Sequence, residues 1–154
     1  MSSEFFAGRL GLQQRVLPDY RGPFLEALAA ACRGGLGVFA GQPQAKENIA
    51  SLGRLETAVY TPARNRHLLA PDSPFYFCWQ PGLVGWLEGW QPEALIVEAN
   101  SRYPSTPKAV AWMHARGRPV LGWGLGAPPQ TGRLAGWRQG SRPRVLCSLD
   151  GLIA

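Results

Sequence analysis

The sequence predicts an α/β domain with a doubly wound, mostly parallel, Rossmann-like sheet. Two observations carry that prediction. The runs Leu36 to Ala40, Ala94 to Val97 and Pro119 to Trp123 are continuously apolar, as in strands buried on both faces. Helical segments separate them, so strand and helix alternate along the chain. A right-handed crossover is the default for each strand–helix–strand unit. In such sheets ligands sit just past the carboxyl ends of the strands, so polar residues there are the first candidates for a site.

The elements follow in order. Residues 1–14 are expected to be a flexible amino-terminal segment and residues 15–154 a single domain, with a short strand at Arg15 to Leu17. The turn cluster from Pro18 to Pro23 opens a helix at Pro23. Leu25, Leu28, Ala29 and Cys32 form its apolar stripe, and Gly34 and Gly35 end it. After the strand at Leu36, residues 42–56 are polar. Thr57 to Tyr60 reads as a short strand, residues 61–67 as loop, and Phe75 to Trp79 as strand-like. A second stripe, Leu83, Trp86, Leu87 and Trp90, follows Pro81. The strand ending at Val97 leads to a helix capped by Ser105 or Thr106, with Pro107 just inside. Val110, Met113 and His114 share its apolar face, and Gly117 stops it. Beyond Trp123 come a loop from Gly124 to Gln130, a short helix near Thr131 to Trp137, and a last strand from Arg144 to Leu149 that ends at Asp150.

Composition narrows the function classes. The chain has 154 residues, 45% hydrophobic and 17% charged, which fits one globular domain with a real core. Fourteen of its sixteen basic residues are arginine, which suits bidentate contact with phosphate or carboxylate. No basic run forms a nucleic-acid stripe, so no nucleic-acid partner is expected. Cys32, Cys78 and Cys147 are far apart among apolar neighbours, which argues for buried thiols, no zinc site and a reducing compartment. Neither a signal peptide nor a membrane-spanning run of about 18 apolar residues is present. The expected location is cytoplasmic, with at most weak association with an anionic membrane surface at the inner face.

Glu98, Asn100 and Arg102 follow the central strand. If the extended conformation persists, alternation sends Glu98 and Asn100 to the same side, where a carboxylate and an amide would bind hydroxyls. Arg102 would hold a phosphate or orient Glu98. The competing explanation is an Asx-type turn at Asn100. Arg21 would add charge to an anionic ligand, while Trp79 and Trp123 would stack on a sugar ring or pack in the core. His67 is expected to be a solvated loop residue and His114 a core residue.

Several segments together resemble the amino-terminal domain of family 4 retaining glycosyltransferases, enzymes with two facing Rossmann-like halves (the GT-B fold). They are Arg15-Val-Leu-Pro-Asp-Tyr-Arg-Gly-Pro-Phe24, Val38-Phe-Ala-Gly-Gln-Pro43, Tyr76-Phe-Cys-Trp-Gln-Pro-Gly-Leu83, Ala94-Leu-Ile-Val-Glu-Ala-Asn-Ser-Arg102, Gly117-Arg-Pro-Val-Leu-Gly-Trp-Gly-Leu-Gly126 and Ser148-Leu-Asp-Gly-Leu-Ile-Ala154. The resemblance implies an acceptor-binding domain, taking a sugar or lipid-linked acceptor, in an enzyme that uses a nucleotide-sugar donor as substrate and needs no further cofactor or metal. The donor-binding carboxy-terminal domain falls outside this chain, which is expected to be inactive alone. By the same resemblance Gly22 lets the backbone approach donor phosphates and acceptor, although Pro23 removes an N–H there. Many relatives have a histidine near the end of the central strand, where this chain has Asn100, so no general base is assigned. Trp123 and Gly124 would line the cleft between the two domains.

Two rival readings remain. One is a non-catalytic module that binds a glycan or sugar-lipid in the same cleft. The other is a dinucleotide-binding domain, because Gly122-Trp-Gly-Leu-Gly-Ala127 fits the glycine fingerprint after a strand and Asp150 lies at the distance of its acidic residue. Pro128, Pro129 and the bulky Trp123 oppose that reading, since a helix should start there against the pyrophosphate.

Overall fold

The central strand of the sheet comes from a stretch whose glycine and glutamines mask its strand character. In the computed structural model, which describes residues 5–70, 72–124 and 143–153, β1 spans Leu10–Val16. Leu10 and Leu12 pack into one core cluster, whereas Gln13 lies opposite Phe39, a member of the other. The strand thus starts five residues earlier than Arg15, and residues expected in a loose amino-terminal segment form the middle of the sheet. Phe6 makes a further bridge to Cys32.

Helix α1 spans Gly22–Ala30 and β2 spans Leu36–Gly41, close to their expected positions. The remaining elements are β3 (Val59–Pro62), β4 (Arg66–Leu68), β5 (Phe77–Trp79), α2 (Leu83–Trp90), β6 (Ala94–Glu98), α3 (Ser105–His114), β7 (Val120–Trp123) and β8 (Gly151–Ile153). Among the described residues, six strands form one sheet in the order β3-β2-β1-β6-β7-β8, with every pairing between them parallel. Leu25 and Ala29 of α1 cover one face, together with Leu12, Val38 and Ile96. Leu87 of α2 and Val110 and Met113 of α3 cover the other, against Leu95, Val97 and Val120. The fold is therefore Rossmann-like, α/β and doubly wound, as the alternation predicts.

Several local expectations are corrected. Residues 61–67 are not all loop, because β4 pairs antiparallel with β5 as a separate ribbon. The expected strand from Arg144 to Leu149 is absent. Residues 143–147 are helical, and the strand is Gly151–Ile153. Val145, Leu146 and Leu149 are apolar in either conformation, so a short run could not decide between them. The helix expected near residues 131–137 lies outside the described residues. Ser105 does not cap α3. Its hydroxyl accepts from the Gln80 backbone N–H at 3.0 Å and donates to the Gln80 carbonyl at 3.3 Å. His114 is exposed rather than in the core, and Cys147 is exposed while Cys32 and Cys78 are buried.

Candidate functional site

The strand order reverses direction between β1 and β6, since β1 leads to β2 on one side and β6 leads to β7 on the other. This is the topological switch point, and the crevice outside the carboxyl ends of these strands is the expected place for a ligand. The residues at that end were built by strand alternation. Gln14 lies opposite Ala40, and Glu98 opposite Trp123. Even-numbered residues of β1 and β6 share the α1 face, so Gln14, Glu98 and Trp123 form a row across β1, β6 and β7.

Each member of the row is chemically unusual. Gln14 is 1% exposed, and neither its amide nitrogen nor its amide oxygen has a hydrogen-bond partner among the described residues. Buried polar groups are normally paired, and an unpaired one costs stability. The Glu98 carboxylate accepts from the Arg15 backbone N–H at 2.7 Å. Burial pushes its pKa up, against the opposing pull of that N–H and of the Arg15 and Arg21 charges. Trp123 is only partly buried. The Arg21 guanidinium lies 4.7 Å from its ring centroid, and Phe24 packs against it with centroids 5.5 Å apart.

Arg21 and Gly22 enter this site from the start of α1, where Arg21 occupies the cap position. Gly22 is buried, and a Cβ there would come within 2.9 Å of Leu52 Cδ1, the movable end of a side chain, so packing favours glycine only weakly. Arg21, Glu98 and Trp123, each expected at a site, come together at the carboxyl end of the sheet, with Gly22 next to Arg21. Gly124 continues from β7, its N–H donating to the Ile153 carbonyl at 3.1 Å.

Asn100 and Arg102 are arranged differently. The strand ends at Glu98, and Asn100 N–H turns back to the Glu98 carbonyl at 2.8 Å. The extended conformation does not persist, so alternation does not apply to Asn100. Its side-chain oxygen accepts from the Arg102 N–H at 3.0 Å, which is an Asx turn. The Arg102 carbonyl in turn accepts from Cys78 N–H at 3.0 Å, which ties the ribbon to this loop.

Behind the row lies a polar network that the sequence did not reveal. The Arg15 guanidinium forms a bidentate pair with Glu47, at 2.9 and 2.7 Å. Gln80 Nε2 donates to the Gln14 carbonyl at 3.0 Å and to Asn65 Oδ1 at 2.8 Å, while Gln80 Oε1 accepts from Gln13 Nε2 at 2.6 Å. Asn65 Nδ2 donates to the carbonyls of Arg15 at 2.7 Å and Gln42 at 3.0 Å. On the ribbon, His67 Nδ1 and the Tyr76 hydroxyl are 2.8 Å apart, and burial lowers the His67 pKa. The only available signal was the adjacent pair Gln13-Gln14 at the end of an apolar alternation.

Asp150 lies at the other end of the sheet. It precedes β8, and its carboxylate accepts from Val120 N–H, the first residue of β7, at 2.7 Å and meets His114 Nε2 at 2.9 Å. A ribose-binding acid belongs at the carboxyl end of its strand. Asp150 does not meet that condition, and the dinucleotide fingerprint loses its acidic residue.

The fold and crevice define a Rossmann-like α/β domain with a polar site at its switch point. No protein-family model, curated protein or solved structure matches the chain. Among the described residues, no helix is long and apolar enough to cross a membrane.

Proposed function

We propose that this chain is the acceptor-side domain of a retaining glycosyltransferase, and that the switch-point crevice binds the hydroxyl-rich sugar of the acceptor. One observation carries the reading: the row Gln14, Glu98 and Trp123 under Arg21. A sugar ring needs hydrogen-bond partners around its edge and an apolar face to lie against. Glu98 supplies acceptors and Trp123 supplies the face, with the unpaired Gln14 amide buried in the same row. The ordered segments that resemble family 4 enzymes support the assignment of class. In enzymes of that class the transfer chemistry belongs to the donor domain, and the role proposed for these residues is to bind the acceptor.

The test is a titration with methyl glycosides, nucleotide sugars and NAD, followed by tryptophan fluorescence and repeated with Trp123→Phe to assign the signal. A saturable response to a glycoside that weakens in Glu98→Ala, with weak or absent response to nucleotide sugars, is the expected result. Tight NAD binding, or no response to any glycoside, overturns the reading.

A further inference from the structure

The β4–β5 ribbon has two unlike faces. Directly opposed residues of an antiparallel pair point to the same side. His67 and Cys78 are one such pair, and they lie on the side of the buried cluster of Tyr76, Cys78 and Tyr103. Arg66 with Trp79 and Leu68 with Phe77 point the other way. These four, with His67 and Pro104, line an open depression of about 340 Å³. Leu68 is 59% exposed and Trp79 47%. Just beyond the ribbon, Leu69 is 54% exposed and Phe75 48%.

Leu69 also has φ of +64°. Glycine or asparagine is the usual residue in that left-handed conformation, and leucine adopts it rarely. Neither turn geometry nor core packing accounts for a leucine at this exposed position. Clustered exposed apolar side chains mark contact surfaces. The charges beside them are positive. Arg64 and Arg66 are exposed, the Arg66 guanidinium lies 6.0 Å from the Trp79 ring centroid, and Asp72 is the only acid from residue 63 to residue 79.

We propose that this ribbon docks on an anionic lipid bilayer. Leu68, Leu69 and Phe75 enter the boundary between headgroups and acyl chains, Trp79 lies at headgroup level, and Arg64 and Arg66 meet lipid phosphates. Tryptophan and arginine beside inserted aliphatic side chains are the composition of a membrane interface, and anionic lipid rewards each nearby arginine. Net charge of +6 adds attraction at longer range. The ribbon is tied to the carboxyl ends of β6 and β1 through Cys78 N–H to the Arg102 carbonyl and Gln80 Nε2 to the Gln14 carbonyl. Docking therefore turns the end of the sheet that holds the crevice toward the bilayer, where a lipid-linked ligand would present its head.

The experiment is co-sedimentation of the full chain with bare vesicles of phosphatidylcholine, with and without phosphatidylglycerol. These vesicles carry no sugar, so the outcome is independent of the glycoside titration. The expected result is binding that requires phosphatidylglycerol and falls with added salt. Leu68→Ser/Leu69→Ser should reduce the bound fraction about fivefold or more, and Arg64→Gln/Arg66→Gln should abolish the preference for anionic lipid. Phe75→Ser provides a second apolar test should the double variant lose its circular dichroism signal. Failure to sediment with either vesicle overturns the proposal, as does unchanged partition of all three variants. Self-association of the wild type that disappears in Leu68→Ser/Leu69→Ser also overturns it, because a second copy would then be the occupant.

Discussion

The Arg15 backbone N–H donates to Glu98 Oε2 at 2.7 Å, so the strand that carries Gln14 also holds the carboxylate beside it. Burial still dominates, and the Glu98 carboxyl is held above its ordinary pKa. A carboxyl with a raised folded-state pKa binds its proton more tightly when folded. Its stabilising contribution is present in acid and is lost as pH rises from the unfolded value, about 4.3, through the folded one. Glu98→Gln removes the ionisation while keeping an oxygen for the Arg15 N–H. Its urea midpoint should equal or exceed that of wild type at neutral pH, with the gap closing toward about pH 4. The glycoside response should weaken in the same variant. A less stable Glu98→Gln at neutral pH would show that the carboxylate is structural rather than kept for a ligand.

The Arg15–Glu47 pair has the opposite pH dependence. Both side chains are mostly buried, at 14% and 13% exposure, and Glu47 also accepts from Gln44 N–H at 2.7 Å. The bonds from Arg15 hold the Glu47 carboxyl below its usual range. Its contribution is therefore present above the unfolded pKa and lost as pH falls through the folded one. Glu47→Ala leaves the Arg15 charge without its partner and should cost about 3 kcal/mol in urea denaturation at neutral pH. The cost should shrink in acid. An equal cost at all pH values would rule out the ion pair as its source.

The fold was legible because continuous apolar runs mark strands buried on both faces, and β2, β6 and β7 are such runs. The start of β1 is hidden in the sequence because Gly11, Gln13 and Gln14 interrupt its apolar pattern, although Leu10, Leu12 and Val16 are buried. The site was half legible for the same reason. Glu98 and Trp123 follow recognisable strands, and Arg21 opens a recognisable helix. Gln14 lies where the apolar pattern breaks, and Glu47, Asn65 and Gln80 of the neighbouring network come from polar stretches without periodicity. Long-range side-chain bonds of this kind leave no local pattern. Asn100 illustrates the converse, because its local Asx turn was visible from composition alone.

Trp123 is partly exposed at the end of β7 and is a platform for Arg21. Trp123→Phe keeps a face and Trp123→Ala removes it. If a sugar ring lies against this residue, the alanine variant should lose about 1 kcal/mol or more of binding, roughly fivefold in affinity, and the phenylalanine variant less. Isothermal calorimetry with the responsive glycoside separates the two. Equal loss in both would indicate that the indole, rather than stacking, matters. No loss in either would remove Trp123 from the site.

Gly41 ends β2 directly beneath the polar network. An alanine Cβ there would collide with the Asn65 side-chain amide. Asn65 cannot move away without giving up its bonds to the Arg15 and Gln42 carbonyls and its contact with Gln80. Gly41→Ala should therefore cost about 1–3 kcal/mol by overpacking and disturb Gln80, the residue that joins Gln13 to the Gln14 carbonyl. The mechanism makes a sharper prediction than the cost. In an Asn65→Ala background the collision is gone, so adding Gly41→Ala should be nearly neutral. A double-mutant cycle in urea denaturation measures that coupling directly, and contacting residues commonly show about 0.5–3 kcal/mol. Additive costs would mean that Gly41 is required for the strand itself. Strong coupling would place the glycine in the support of the crevice, and the glycoside affinity of Gly41→Ala should then fall with its stability.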